Sequence, residues 1–363
     1  MAFSLSQLND HVKLNIGTFI KGRWDYIGLA QRYPEYEAIA QLAPRKQPAS
    51  NYEQTVTYQT DEDVEPQPTK PGSPVQPSQT KKALTRKIKL VKVLDSIGWT
   101  LDSDKLKGKS DEHIVKQIQM DMVGYDLRWW LFLEHALLRK ATNIIPDDDE
   151  HAFGFPAWVT DGTVTDASGF QLYGGADPYA GGRPGGITVA AQPKFTNPVA
   201  EFASVSDDDF FDKIETFLTY VKVMGIVPNP RLIPDTPSRV CYVNDKVLRA
   251  VQRYMQASNQ DTGLDAGRYR GKPSYKGIPF TTLFAAFHPD SPVKDATCVV
   301  RLIDWNTFEY GVHPDYDRLT EGPKDADKVP GEVYMTTQHW HQIACQRPDR
   351  SLFMESATPS LQP

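Results

Sequence analysis

The sequence has few cysteines and none of the cysteine spacings that carry chemistry. Its 363 residues include Cys241, Cys298 and Cys345, and no two of these form a CxxC pair. A disulfide framework needs an even number of cysteines, and a structural zinc site needs paired cysteine or histidine ligands, so neither is predicted. Isolated thiols of this kind are typical of the reduced cysteines of a cytosolic protein.

Catalytic and nucleotide-binding motifs are missing as well. The sequence contains no GxSxG, no HExxH, no Walker loop and no GxGxxG. The glycine-rich stretch at residues 154–186 has no GK[ST] ending and no apolar strand before it, which excludes a phosphate-binding loop. These absences do not disprove an enzyme, but they favour a structural role.

Neither sign of charge dominates, and no long apolar run is present. The 40 basic residues stand against 46 acidic ones, for a net charge of -6, which excludes a chain that grips nucleic acid along its whole length. The N-terminus lacks the basic start and the apolar run of a secretory signal, and no window approaches the length of a membrane span. We therefore expect a soluble protein without a membrane partner.

The clearest pattern that is present is a long amphipathic helix over residues 110–143. Ser110 offers an N-cap oxygen, and Arg139 and Lys140 suit the negative end of the helix dipole. Apolar residues recur every three or four positions and predict one buried face: Ile114, Ile118, Met122, Tyr125, Trp129, Leu133 and Ala136. Residues 129–133 are apolar on every side, so we expect another structure to cover a second face; the alternative is a plain core helix.

A proline-rich stretch separates two segments that are rich in β-forming residues. Residues 51–59 and residues 87–93 both have the composition and the alternation of strands. Residues 61–82, between them, are too rich in proline for a helix or a sheet ladder and should be extended: Pro66, Pro68, Pro71, Pro74 and Pro77. A long hairpin with a projecting polar tip is predicted; the alternative is an interdomain linker.

The first 50 residues predict an arm that docks on another surface. They contain a short helical candidate at residues 26–42 and little other periodicity. They also carry more large aromatic side chains than a free tail would, namely Phe3, Phe19, Trp24, Tyr26, Tyr33 and Tyr36. Something must cover these side chains, so an arm that packs elsewhere is expected.

The second half of the chain has the pattern of an α+β fold. A helix over residues 206–225 is predicted to be capped by Ser206. Residues 239–243 form a strand that leads into a helix over residues 244–255, capped by Asn244. Further strands are predicted at residues 275–284, 297–305 and 308–312.

The last strand carries the nearest thing to a catalytic site. Residues 332–345 are predicted to return at residues 352–355 as a closing hairpin. His339 and His341 lie two residues apart on this strand, so they face the same side and could share a metal ion. Spacing places no third ligand, and a structural strand is favoured. A metal-dependent hydrolase that uses His339 and His341 stays open as an alternative function.

Taken in order, these features resemble the major capsid proteins of tailed double-stranded DNA bacteriophages, which share the Hong Kong 97 fold. Four short segments add to the resemblance. HAFGFPAW at 151–158 is similar to the FxGL turn after the family's spine helix, and RVCYVN at 239–244 is similar to the strand into the axial domain. YKGIPF at 275–280 is similar to the GxPV strand, and IACQRPDR at 343–350 is similar to the final strand and its arginine-bearing turn. Phe155 and Phe280 depart from the family pattern. The order and spacing of the segments support the resemblance more than any one of them does.

The resemblance implies an α+β chain of the Hong Kong 97 type with four parts. These would be an N-terminal arm at residues 1–50, an extended loop at 51–94, a peripheral domain at 95–228 and 330–363 with its spine helix at 110–143, and an axial domain at 229–329. It also implies a structural protein without enzymatic activity or cofactor, which self-assembles into hexamers and pentamers of an icosahedral shell around phage DNA.

The implied partners follow from that role. Expected assembly contacts lie on the arm, the hairpin and the spine helix: Trp24, Tyr26, Tyr52, Tyr58, Lys87, Lys89, Lys92, Trp129, Trp130 and Phe132. Expected partners are further copies of the chain, portal and scaffolding proteins, decoration or cement proteins, and packaged DNA through weak non-specific contact. The sequence shows no scaffolding extension before the arm, so a separate scaffolding protein is expected; a processed or truncated chain would look the same. The protein would be located in the virion after assembly in the host cytoplasm. The runner-up is an encapsulin-type compartment that encloses a cargo enzyme.

Overall fold

The computed structural model describes most of the chain in segments, namely residues 37–49, 52–59, 83–100, 111–138, 150–179, 181–223, 238–257, 273–282, 299–325 and 332–356. The predicted arm up to residue 36 and the proline-rich stretch at residues 60–82 lie outside the described residues. Among the helices of these segments, none is both long enough and apolar enough to cross a membrane.

The chain combines helices with runs of consecutive strands, as expected for an α+β fold. The helices are α1 (Glu37–Leu42), α2 (Asp111–Leu138), α3 (Phe155–Trp158), α4 (Asp212–Val223) and α5 (Asp245–Ala257). The strands are β1 (Lys46–Pro48), β2 (Glu53–Gln59), β3 (Ala83–Lys89), β4 (Val91–Thr100), β5 (Phe170–Gln171), β6 (Val199–Phe202), β7 (Arg239–Val243), β8 (Ser274–Tyr275), β9 (Ile278–Thr281), β10 (Val299–Asp304), β11 (Phe308–Val312), β12 (Leu319–Asp325), β13 (Glu332–Cys345) and β14 (Leu352–Ser356).

A five-stranded sheet is built around β13. On one edge β4 pairs antiparallel with β13, and on the other edge β12 and β11 follow each other along its length. β1 pairs parallel with β11. A seven-stranded sheet has the order β5-β6-β14-β10-β7-β9-β8.

The predicted hairpin is confirmed in the part that is described. β2 and β3 pair antiparallel from Glu53 opposite Lys89 to Gln59 opposite Ala83. The second strand begins earlier than predicted and ends at Lys89, after which β4 continues into the five-stranded sheet.

The predicted long helix is confirmed as α2, which has 28 described residues. Ser110 and residues 139–143 lie outside the described part. The face predicted from the apolar period is buried at each position whose side chain is described: Ile118, Met122, Tyr125, Trp129, Leu133 and Ala136. This face lies on the five-stranded sheet, where Trp129 contacts His339 edge-on with ring centroids 5.6 Å apart.

The seven-stranded sheet has an apolar core on each face, because successive side chains of a strand point to opposite sides. In β7, Val240 and Tyr242 belong to one core, and Cys241 and Val243 belong to the other. The second core is closed by α4 and α5 through buried residues that the sequence period predicts: Phe210, Ile214, Phe217, Val221, Val247, Val251 and Met255. The first core joins both sheets.

Of the three predicted helix caps, Ser110 lies outside the described residues, and one of the other two is present. The side chain of Asn244 accepts a hydrogen bond from the Val247 amide at 2.9 Å, as expected. The side chain of Ser206 makes no capping bond, so that prediction is wrong. The chain enters α4 through a π-helical turn, Asp207–Phe211, and Asp209 there accepts hydrogen bonds from the amides of Ala203 at 2.8 Å and Ser204 at 2.9 Å. The hydroxyl of Ser206 instead lies 3.2 Å from the hydroxyl of Ser204.

The predicted closing hairpin is wrong, because β13 and β14 lie in different sheets. β14 pairs with β10 and β6 in the seven-stranded sheet. A turn at Pro348–Arg350 carries the chain from one sheet to the other. β10 and β11 are divided between the sheets in the same way by the turn Trp305–Thr307.

The two turns that carry the chain between the sheets lie side by side and are hydrogen-bonded to each other. The amide of Gln346 donates to the carbonyl of Thr307 at 2.8 Å, and the amide of Asp304 donates to the hydroxyl of Ser351 at 3.2 Å. Trp305 is fully buried beneath them, and its indole N–H donates to the hydroxyl of Tyr242 at 3.1 Å. The sheets are therefore connected by a bonded pair of turns.

A buried carboxylate, that of Asp304, lies beside the same two turns. Asp304 is 1% exposed, and its Oδ2 lies 3.3 Å from Nε of Arg239 and 3.6 Å from Nε of Arg350. Arg239 comes from β7, and Arg350 comes from the turn that leads into β14. The carboxylate of one crossing thus pairs with the arginine of the other.

We predict that Asp304→Asn lowers the free energy of unfolding by about 3 kcal/mol, because it removes the buried negative charge that Arg239 and Arg350 share. Urea unfolding followed by circular dichroism measures the change. The control Asp245→Asn removes an exposed pair with Arg249 and should change stability by less than about 0.5 kcal/mol. Equal losses in both variants would contradict this role for Asp304.

Candidate assembly surfaces

Side-chain amides hold the hairpin strands against the five-stranded sheet. The amide of Thr57 donates to Oε1 of Gln346 at 2.7 Å. From the same strand of the sheet, Nε2 of Gln342 donates to the carbonyl of Lys89 at 3.1 Å. Val56 is fully buried, so the described strands lie on their own chain. Any projection of the hairpin starts beyond its described ends.

The closest approach between the hairpin and the sheet requires a glycine. Gln54 is 4% exposed, and its side chain lies over Gly311 of β11. A Cβ atom at position 311 would lie 1.5 Å from Oε1 of Gln54. The other end of this amide, Nε2, lies 3.5 Å from a carboxylate oxygen of Glu309. Gly311 therefore leaves space for the side chain of Gln54, which packs the hairpin against the sheet.

The three lysines predicted as contacts differ in their surroundings. Lys87 is exposed and pairs with Glu53 across the hairpin at 2.8 Å, a geometry that contributes little to stability. Lys89 is exposed at the end of β3. Lys92 is exposed, and its ammonium lies 5.7 Å from the ring centroid of Trp340, within cation–π distance.

An aromatic patch lies on the outer face of the five-stranded sheet, beside the start of the hairpin. Tyr52 is 42% exposed, stacks on His313 with centroids 4.5 Å apart, and lies 4.8 Å from Trp340. Tyr316 lies 5.0 Å from His313 and 6.2 Å from Trp340. These four residues are called the aromatic patch below. Of the predicted contacts, Tyr52 and Lys92 are brought together here.

The backbone at Tyr52 is strained. Its φ of 58° lies in the left-handed region, which costs a bulky residue roughly 1–2 kcal/mol. The carbonyl of Tyr52 accepts a hydrogen bond from the amide of Leu90 at 2.8 Å. This bond and the two ring contacts hold the residue in place. The strain fixes a partly exposed ring at the edge of the hairpin.

The outer face of α2 leaves apolar side chains uncovered. Met120 is 69% exposed, Val123 is 43% exposed and Phe132 is 38% exposed. Trp129, which was predicted to contact a neighbouring subunit, is instead 2% exposed within its own chain, with the Arg318 guanidinium 5.4 Å from its ring centroid. It points inward because it falls on the buried stripe of the helix.

Four other predicted contacts have no structural outcome. Trp24 and Tyr26 lie outside the described residues. The backbones of Tyr58 and Trp130 are described, but their side chains are not. These four residues stay predictions.

His339 and His341 share one side of β13, as the alternation predicts, but they are buried. Their rings stack with centroids 5.0 Å apart. Nδ1 of His339 accepts from the amide of Arg318 at 3.1 Å, so Nε2 carries the proton and faces the hydroxyl of Tyr310 at 2.7 Å. The ring nitrogens of His341 have no hydrogen-bond partner in the part of the chain that the structure describes.

This arrangement does not provide the metal site of the hydrolase alternative. Both nitrogens of His339 are engaged by the protein. In the described segments no three His, Cys, Asp or Glu side chains are grouped to hold a metal ion. Burial, with His341 as a smaller cause, lowers the pKa of His339 well below its usual value, and burial lowers the pKa of His341 to about 4. The pair is therefore neutral at neutral pH.

The residues that sequence reasoning missed are those that pairing between distant strands brings together. His313, Tyr316 and Trp340 were not singled out as contacts. One local signal was present for Trp340: it lies between His339 and His341, so it must face the opposite side of the strand. Nothing local predicts that Tyr52 and Trp340 meet.

Comparison with known proteins finds structural similarity without sequence similarity. No protein-family model matches the chain, and no curated protein matches it. The capsid protein of cyanophage A-1(L) aligns with a TM-score of 0.55 at 11% identity, over 86% of this chain and 90% of that one. The capsid protein of a native GTA particle aligns with a TM-score of 0.51 at 11% identity, over 86% of this chain and 88% of that one. The Hong Kong 97-type capsid fold is thus confirmed.

We predict that Gly311→Ala destabilises the chain by about 1–3 kcal/mol, because the new methyl group displaces the buried side chain of Gln54. Gln54→Ala removes the obstructing atoms, so the double variant should be more stable than the sum of the two single losses allows. Urea unfolding of the four proteins of this cycle measures the coupling. Strict additivity would contradict the close approach.

We predict that acid destabilises the chain through His341. The unfolded chain takes up a proton near the ordinary pKa of 6.5, whereas the folded chain does so only near 4. Stability is therefore complete above about pH 6.5 and falls as the pH drops towards about 4. His341→Phe should remove up to about 3 kcal/mol of this loss in urea unfolding across that range, and should cost little at neutral pH.

The matched variant for that measurement is His339→Phe. It removes the hydrogen bonds to Tyr310 and Arg318, so it should lose stability at neutral pH as well. A His341→Phe variant with the same acid sensitivity as the unmodified chain would contradict the role of the buried ring.

Proposed function

We propose that this chain is a major capsid protein of a tailed double-stranded DNA bacteriophage, which self-assembles into hexamers and pentamers of an icosahedral shell. The observation that carries the proposal is the fold: two sheets joined by a pair of turns, a long helix across one sheet and a two-stranded hairpin packed against that sheet. The capsid protein of cyanophage A-1(L) shares this arrangement over 86% of the present chain. A structural role without catalysis fits the engaged nitrogens of His339.

The uncovered apolar groups support the same proposal. Met120 and Val123 on the outer face of α2, and Tyr52 beside the hairpin, are large apolar side chains left exposed by the described chain. Burial of such groups between subunits gains free energy in proportion to the area removed from water. Phe132 and the lysines Lys87, Lys89 and Lys92 are also exposed and are further predicted contacts open to a neighbour.

The proposed parts of the chain are those of the resemblance: an arm at residues 1–50, an extended loop at 51–94, a peripheral domain at 95–228 and 330–363, and an axial domain at 229–329. Sheet pairing supports one change. β11 and β12 pair with β13, so they belong with the peripheral domain although they precede residue 330.

The proposed partners are copies of the chain first. Portal, scaffolding and decoration proteins would bind the assembled shell, and packaged DNA would make weak non-specific contact with its inner wall. A net charge of -6 suits a wall that does not hold its genome tightly. The chain would assemble in the host cytoplasm and remain in the virion.

We predict that deletion of residues 65–77 leaves a folded monomer but prevents the formation of normal shells, because the hairpin tip would contact a neighbouring subunit. Circular dichroism and urea unfolding test the monomer, and electron microscopy with candidate scaffold tests assembly. A control chain, in which a Gly-Ser sequence of equal length replaces residues 65–77, separates the need for length from the need for sequence.

Normal shells from the deletion variant would contradict the assignment of the hairpin as an assembly element. Particles that enclose a cargo protein and form without scaffold would instead favour a protein compartment of the encapsulin type. Both outcomes are read from the same purified particles.

A further inference from the structure

We propose that the aromatic patch binds the proline-rich stretch, residues 66–77, of a neighbouring copy of this chain. The inference rests on the proposed function and extends it to one contact between two subunits, in which the hairpin tip of one lies on the sheet of the next. Two observations support it: the patch is a fixed set of partly exposed rings, and the spacing of the prolines would let them pack on such rings.

The chemistry of the patch is that of surfaces that bind polyproline helices. Tyrosine and tryptophan rings line such surfaces, and an extended proline-rich segment loses little entropy on binding because its conformation is preformed. The ring centroids of Tyr52, Tyr316 and Trp340 lie between 4.8 and 6.3 Å apart. They offer neighbouring faces and edges on which a pyrrolidine ring can pack.

The strained backbone at Tyr52 points to a function for its ring. A tyrosine with a φ of 58° is unfavourable at a turn where glycine would be free of strain. The residue is 42% exposed, so part of its apolar surface is left for a partner. A partner that covers the ring would explain why a tyrosine occupies this position.

The proline-rich stretch has the period of a polyproline helix. Pro68, Pro71, Pro74 and Pro77 recur at every third residue. A polyproline helix has three residues per turn and rises about 3.1 Å per residue, so these four rings would lie on one side, about 9 Å apart. Two successive prolines would span the patch.

Charges beside the two partners are complementary. The proline run follows four acidic residues, Asp61, Glu62, Asp63 and Glu65. Lys89 and Lys92 are exposed next to the patch, where Lys89 pairs in register with Glu53 and Lys92 with Trp340. Asp315 places one acidic group beside His313, which offsets part of the attraction between the lysines and the acidic residues. Charge therefore sets the direction in which the peptide binds more than its affinity.

The reach of the chain favours a neighbouring copy over the same copy. β2 carries the chain away from the patch by about 23 Å between Tyr52 and Gln59, at about 3.3 Å per residue. Ala83 lies opposite Gln59, so the return starts at the same distance. The six residues from Ser78 to Ala83 span at most about 20 Å when fully extended. Pro77 of the same copy therefore does not reach the patch, and Pro68 and Pro71 would reach it only if the chain folded back along its own hairpin strands. The stretch of a neighbouring copy needs no such reversal.

The test uses the full chain with Pro68, Pro71, Pro74 and Pro77 all replaced by alanine, which leaves the patch free. A synthetic peptide of residues 61–82 is titrated into it by calorimetry, at a concentration where the chain sediments as a monomer. We expect saturable binding, and a peptide with the same four alanines should bind at least about tenfold more weakly.

Tyr52→Gly in the receiving chain should also weaken binding at least about tenfold, while its folding is preserved because glycine accepts the backbone angle. The matched control is Met120→Ala, which alters an exposed apolar residue on α2 and should leave binding unchanged. Equal binding of the two peptides, unchanged binding by the Tyr52→Gly chain, or no binding at all would each overturn the proposal.

Two further outcomes separate the alternatives. If the chain with its own prolines, as a monomer, fails to bind a peptide that the proline-free chain binds, its own stretch occupies the patch and the neighbour assignment is overturned. Peptide binding by a chain that never assembles would contradict the proposed shell and support the patch, whereas shells formed without peptide binding would overturn the patch assignment alone.

Discussion

Two bonded turns between the sheets are the constraint on which the rest of the molecule depends. The chain crosses from the seven-stranded to the five-stranded sheet at Trp305 and returns at Pro348, and each turn donates a backbone hydrogen bond to the other. Asp304 adds a buried negative charge between Arg239 and Arg350. Because one buried core, which includes Trp305, contains residues of both sheets, the sheets form a single packed unit. The long helix and the hairpin then have a fixed sheet to lie on.

That fixed sheet decides which surfaces are left for partners. β13 presents buried histidines to the long helix on one side and Trp340 to the exterior on the other. Gly311 allows Gln54 to seat the hairpin next to Trp340, and this contact brings Tyr52 into the patch. The exposed rings are thus a consequence of how the hairpin docks. Under the proposed function, these rings lie at the base of the hairpin, where a neighbouring copy would cover them.

Local patterns predicted the longer helices and the strand β13, whereas strands such as β6 and β12, and the pairing of distant strands, were not predicted. The period of α2 named its buried face correctly, and Asn244 was recognised as a cap, because both depend on neighbours a few residues away. The turn at Pro348 was interpreted as a hairpin, since its sequence does not show that β14 finds its partners in β10 and β6. For the same reason, the sequence could not predict that His339 and His341 are buried or that Tyr52 contacts Trp340. Trp129 was misassigned because its position on the buried stripe was given less weight than the apolar run around it.

The central claim, that this chain builds a closed shell, is tested most directly by electron microscopy combined with sedimentation velocity on the intact chain, alone and with candidate scaffold. The account predicts closed particles or rings of five and six subunits. A single species at the monomer mass of 40.8 kDa under every condition would contradict it.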